Sequence, residues 1–162
     1  VCTPRSPLCV TCPVSDVCDG YNLNKAEQFP KKAPKKPKPT RRGVVFWAVR
    51  EDGAVLIRRR PEKGLLGGMM EFPSTDWVEA PWTDEAALKY APIKALSWKQ
   101  LPGIVRHTFT HFHLELVILA GKIDRAGKTS DIWCPVEGLS DFALPTVMKK
   151  VVGLAVTELL PE

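Results

Sequence analysis

Four of the chain's five cysteines fall within the first eighteen residues, at Cys2, Cys9, Cys12 and Cys18, spaced C-x6-C-x2-C-x5-C. Four thiolates this close in sequence can converge on one centre, so this end is expected to wrap an inorganic cofactor. Disulfides would suit a secreted chain with a signal peptide, and the opening VCTPRSPLC has no apolar h-region. Structural zinc sites built from four cysteines usually pair two short knuckles across a longer gap, whereas this run has one C-x2-C and two wider arms. Iron–sulfur clusters also use four cysteines from compact runs, although the common ferredoxin spacings differ from this one. Spacing alone leaves zinc and iron–sulfur both open.

At 162 residues the chain has room for one ordinary domain plus a tail. Its 44% hydrophobic and 25% charged residues are those of a globular protein. No apolar run approaches the roughly 18 residues that a membrane span needs. With cysteines better read as metal ligands than as disulfides, a cytoplasmic, reducing setting is expected. Cys134, far from the others in DIWCPV, reads as a buried core thiol.

The net charge of +5 is concentrated in one segment. Lys31, Lys32, Lys35, Lys36, Lys38, Arg41 and Arg42 fall together with no acid among them, and without these seven the chain has 16 basic against 18 acidic residues. Pro30, Pro34, Pro37 and Pro39 in the same stretch exclude a helix and favour extended chain. The segment therefore reads as a linker. Such a linker is either a solubilising spacer or a track for phosphates, the latter with salt-dependent affinity.

From Gly43 the texture changes. Gly43–Val49 is β-branched and aromatic, and Ala54–Arg60 follows the turn signal Glu51-Asp52-Gly53, which predicts a hairpin. Gly64–Gly68 is a flexible loop into a short strand over Met69–Pro73. Thr83–Tyr90 fits a short helix with Thr83 as N-cap. Ile104–Gly121 carries a long strand pattern interrupted near Thr108–Thr110, and Pro145–Leu160 has helical spacing in Val147, Val151, Leu154 and Ala155. Strands with one or two flanking helices predict an α+β domain.

Two sets of residues resemble known families. The cysteine spacing, with Thr3, Pro4, Arg5, Pro7 and Pro13 inside it, resembles the 4Fe–4S loop of the endonuclease III and adenine DNA glycosylase superfamily. GLLGGMMEFP at 64–73, VRHTFTHFHL at 105–114 and Leu144-Pro145-Thr146 resemble the Nudix-like (MutT-like) C-terminal domain of adenine DNA glycosylases, with Met70 where that family usually has Trp. The resemblance implies an iron–sulfur cluster loop at 1–24, a basic linker at 25–42, and a Nudix-like domain with a mixed sheet and flanking helices at 43–162. It implies that Cys2, Cys9, Cys12 and Cys18 hold a 4Fe–4S cluster. Part of the cluster's pocket wall can belong to a helical glycosylase domain, so retention of the cluster by these residues alone stays open. It further implies that Phe109, Thr110 and His111 recognise 8-oxoguanine, and that Arg5, Lys31, Lys32, Lys35 and Lys36 meet the DNA backbone.

No catalytic residue is assigned. Nudix hydrolases use an Arg-Glu-x-x-Glu-Glu helix after the glycine loop, and here Glu79, Asp84 and Glu85 are scattered instead. In the resemblance, base excision belongs to a helical domain N-terminal to Val1. The chain is then expected to be the C-terminal part of a base-excision repair enzyme, with two partners: double-stranded DNA containing 8-oxoguanine:adenine, and its own N-terminal glycosylase domain. Neither adenine excision nor nucleotide hydrolysis is expected of the chain alone. The competing readings are a stand-alone Nudix-like module that binds a nucleotide or a protein, and a zinc-bearing interaction domain. A zinc site at His107, His111 and His113 is disfavoured, because extended chain spreads them over ~20 Å.

Overall fold

The computed structural model describes residues 1–3, 5–29, 33–34, 36–93, 97–123 and 131–159. It divides into two compact units, Val1–Pro37 and Lys38–Glu162.

The first unit is a succession of tight turns. Short 3-10 turns at Cys9–Thr11 and Ser15–Val17 lead into α1 (Asp19–Asn22), and a further turn covers Ala26–Gln28. Cys12 N–H donates to Cys9 O, Ser15 N–H to Cys12 O and Cys18 N–H to Ser15 O. A three-residue period brings side chains at i and i+3 to the same side, which is how Cys9 and Cys12 come to share one flank. None of the unit's described residues is buried.

The second unit is an α+β domain. Its strands are β1 (Thr40–Arg50), β2 (Val55–Arg59), β3 (Met70–Glu71), β4 (Trp98–Gln100), β5 (Val105–Thr108), β6 (His113–Ile123) and β7 (Ile132–Cys134). Its helices are α2 (Asp84–Leu88) and α3 (Thr146–Leu159). The described strands form a mixed sheet in the order β3-β2-β1-β6-β4, with β5 also on β6 and β7 on β2. At its centre β1 and β6 run parallel in unbroken register from Thr40↔His113 to Arg50↔Ile123.

Both faces of this central pair are covered, which explains why the β1 sequence is continuously apolar instead of alternating. Val45 and Trp47 of β1 with Leu114, Leu116 and Ile118 of β6 pack under α3, which contributes Val147, Met148, Val151 and Ala155. On the other face Val44, Phe46 and Leu119 meet Ala87 of α2, with Trp82 and Trp98 against them. Cys134 is buried in the larger cluster, and burial pushes its thiol pKa up.

Several elements differ from the sequence reading. β1 begins at Thr40, so Thr40, Arg41 and Arg42, read as the end of the linker, are sheet residues paired with His113–Glu115. Ile104–Gly121 is not one interrupted strand. It is an antiparallel hairpin of β5 and β6, closed where Phe109 N–H donates to Phe112 O. The helix expected over Thr83–Tyr90 is only α2, five residues long, although Thr83 does cap it by accepting from Ala86 N–H. β4 and β7 carry no recognisable pattern at three residues each.

Candidate functional site

Cys2, Cys9, Cys12 and Cys18 line a single cavity of about 300 Å³, together with Val1, Pro7 and Leu8. Burial, and then the neighbouring Cys18, Cys12 and Cys2, raise the Cys9 thiol pKa above its ordinary value. Three thiols within electrostatic reach of Cys9 around one open cavity suit a cationic inorganic group, which would relieve that repulsion. The donor set is all sulfur, the softness that iron–sulfur clusters use. Among the described residues no three His, Cys, Asp or Glu side chains close on a single-ion site, so the sulfurs surround a space and do not meet at a point. Arg5 is exposed in the preceding loop, which Leu8 N–H closes on Val1 O and the Thr3 hydroxyl braces on Ser6 O. Lys36 is exposed. Lys31, Lys32 and Lys35 lie outside the described residues.

In the second unit the Phe109–Phe112 turn sits at the end of the β5–β6 hairpin. Thr110 and His111 are exposed at its tip, while Phe109 is half-buried and Phe112 buried. The Phe109 ring stacks on Trp77 (6.0 Å between centroids) and meets His107 edge-on at 4.6 Å and Phe112 at 4.9 Å. Phe109 is thus the base on which the turn rests. Trp77 reaches it because residues 73–78 run along β1, with Thr75 exchanging hydrogen bonds with Val44. Gly43 makes the approach possible, since a Cβ there would lie 2.7 Å from Trp77 Cδ1.

Cations ring this base. Arg60 lies 5.2 Å over Trp77 and Arg41 4.5 Å over Phe112. Lys38 Nζ donates to Phe109 O at 3.0 Å. The neck of the turn is fastened by Thr108 Oγ1 and His113 Nδ1 at 2.9 Å. The sequence pattern names the tip residues but not Trp77, Lys38, Arg41 or Arg60 beside them. Lys38 and Arg41 register in the sequence only as charge in the basic segment, and Trp77 sits in a stretch with no periodic signal.

His107, beneath the turn, has its pKa lowered from 6.5, first by burial and second by Lys150 nearby. The unfolded chain therefore takes up a proton that the folded domain resists. Stability from this group is full above pH 6.5 and is lost as pH falls through the lowered folded value. His107→Gln should flatten that part of the curve in urea melts between pH 7 and 5. An identical pH slope in the variant would contradict this.

The acids near the glycine loop take structural positions. Glu71 is buried, donated to by Arg58 Nε at 2.9 Å and also paired with Arg60. Glu79, Asp84 and Glu85 are exposed.

A mixed sheet flanked by helices, with a cysteine-lined loop earlier in the sequence, is the arrangement that the family matches identify. Residues 44–154 match the NUDIX domain family, and the chain belongs to it. Residues 2–18 match the iron–sulfur binding domain of endonuclease III, which supports an iron–sulfur cluster held by the four cysteines. The particular relatives are adenine DNA glycosylases. The chain is similar to that of Homo sapiens (27% identical over 207 residues, covering 93% of this chain and 38% of the relative) and that of Mus musculus (28% over 204 residues, 93% and 39%). It spans about two fifths of the length of these curated relatives. Among solved structures, the C-terminal domain of mouse MUTYH, crystallised with human PCNA, matches with a TM-score of 0.59 at 25% identity over 71% of this chain and 86% of that one. The MutT protein of Methanosarcina mazei Go1 shares the fold, with a TM-score of 0.63 at 17% identity over 79% and 100%. No helix among the described residues is long and apolar enough to cross a membrane.

Proposed function

We propose that this chain is the lesion-recognition part of an adenine DNA glycosylase, reading 8-oxoguanine opposite adenine in duplex DNA. The observation that carries this reading is the exposed Thr110–His111 tip, held on a rigid aromatic base in a domain similar to adenine DNA glycosylases. Oxidation of guanine at C8 turns N7 from an acceptor into a donor and adds a carbonyl oxygen. A threonine hydroxyl can accept from that N–H, whereas an unmodified N7 faces it with a second acceptor unless the hydroxyl turns to donate. The contact therefore favours the lesion without a charged group.

Cleavage of the N-glycosidic bond falls in this reading to the N-terminal glycosylase domain of the same protein, with the adenine flipped out of the stack. Arg5 and the lysines at 31, 32, 35 and 36 add sequence-independent phosphate contacts. Replacing these four lysines with Gln should weaken binding to damaged and undamaged duplex alike and flatten the salt dependence. An unchanged salt slope would make them a spacer. A reducing, cytoplasmic setting fits an iron–sulfur loop.

The test of the recognition site is a substitution series at Thr110. Thr110→Ala and Thr110→Val should lower the preference for 8-oxoguanine:adenine over guanine:adenine by about 1 kcal/mol, roughly fivefold, the worth of one hydrogen bond. Thr110→Ser keeps the hydroxyl and should be nearly silent. Equal discrimination by all three variants would move recognition to another part of the domain.

A further inference from the structure

We propose that Lys38 is a positioning residue for the Phe109–Phe112 turn, and that the last residues of the basic segment serve as the brace that holds this turn in shape. The proposal rests on the reading that the turn meets the lesion.

Four consecutive residues run alongside the turn and grip it at three points. Lys38 Nζ donates to the Phe109 carbonyl at 3.0 Å. Pro39 O accepts from His113 N–H at 2.9 Å, on the far side of the turn. Thr40 opens the parallel register opposite His113, and Arg41 lays its guanidinium 4.5 Å over the Phe112 ring. The contacts fall on Phe109, Phe112 and His113, so the brace fixes both ends of the segment that carries Thr110 and His111.

The local sequence prepares this arrangement. Lys38 lies between Pro37 and Pro39. A residue that precedes proline is restricted to extended conformations, so the backbone of Lys38 is held in few states before the contact forms. An ammonium donating to a carbonyl is a charge-assisted bond, stronger than one between neutral groups. Lys38 thus has a protein acceptor for its charge in Phe109 O, as Arg42 has in Glu79 O, where a phosphate-tracking lysine would present its ammonium to solvent. Lys38 and Pro39 tie the first residues of this domain to the turn.

The experiment compares the unaltered 162-residue chain with Lys38→Met, which keeps the aliphatic stem, and Lys38→Arg, which restores a donor. Hydrogen exchange of the Phe109 and His113 amides is measured without DNA. Affinity for 8-oxoguanine:adenine and guanine:adenine duplexes is measured as a function of salt. Lys38→Met should speed exchange at both amides several-fold and reduce the lesion preference several-fold. Its affinity for the guanine:adenine duplex and its salt slope should stay unchanged. Lys38→Arg should recover both properties. Unchanged exchange in Lys38→Met overturns the brace. An equal loss of affinity for both duplexes with a salt slope smaller by about 1 also overturns it, since Lys38 would then be a phosphate contact. Faster exchange in a chain whose unaltered form shows no lesion preference supports the brace and overturns the recognition reading instead.

Discussion

Serine in place of Cys9 or Cys12 is expected to abolish the iron content of the N-terminal unit and the visible absorbance that goes with an iron–sulfur cluster. The argument is partly electrostatic and partly structural. Burial, and then the three neighbouring thiols, disfavour ionisation of Cys9, and a cationic cluster in the same cavity would offset both. No described residue of Val1–Pro37 is buried, so the described residues form no apolar core to keep these turns in place. When ligands gather only around a metal, the binding free energy is also the folding free energy of the segment. The serine variants should therefore become sensitive to protease across residues 1–29, while the melt of the Nudix domain stays unchanged. Cys134→Ala is the control. That thiol is buried in the core of the other unit, so the change should leave the iron untouched. Iron analysis of protein made under iron-sufficient anaerobic conditions is the measurement, and stoichiometric zinc in place of iron would contradict the assignment.

Glu71→Gln should produce a large loss of stability in the Nudix domain. The carboxylate is nearly inaccessible, at 2% exposure, and neutralises Arg58 and Arg60 from one position. Removing its charge leaves two guanidiniums facing each other across a neutral amide. A fully buried pair broken in this way costs about 3–5 kcal/mol. Here the arginine side chains are 38% and 22% exposed and regain part of their hydration, so about 2–3 kcal/mol is expected. For a domain of this size that corresponds to a fall of roughly 5–10 °C in Tm. Arg60 also stacks over Trp77, so the base of the Phe109–Phe112 turn should loosen in the same variant. An unchanged Tm would mean that the three groups are held by solvent and not by one another. The same geometry says what Glu71 does not do: a carboxylate neutralised by two guanidiniums and closed to water is poorly suited to act as a general base.

What the sequence made legible was set by local pattern. The β1 run could be read because its covered stretch Val44–Val49 is apolar throughout, β6 from its alternating and then apolar pattern, and α3 because Val147, Val151 and Ala155 repeat at helical spacing. The four cysteines could be read from spacing, and the tip residues Phe109, Thr110 and His111 from the family motif. The surroundings of that tip could not be read. Trp77 and Lys38 reach Phe109 from 32 and 71 positions away in sequence, and no local period records such contacts. Arg41 and Arg42 were read as linker because basic residues beside prolines signal extended chain. In the structure that extended chain continues into β1, where Thr40–Arg42 pair with His113–Glu115. The composition was read correctly as extended, and the partner strand was what the sequence did not contain locally.

The most direct test of the whole account is equilibrium binding of this chain to two duplexes that differ only in one oxygen, 8-oxoguanine:adenine and guanine:adenine, at fixed salt. A Thr110 hydroxyl meeting the N7 hydrogen of the lesion predicts about fivefold tighter binding to the oxidised duplex, the worth of one hydrogen bond. That preference should be retained in Thr110→Ser and lost in Thr110→Ala. Equal affinity for the two duplexes, or no binding to either, would contradict the assignment of lesion recognition to this domain.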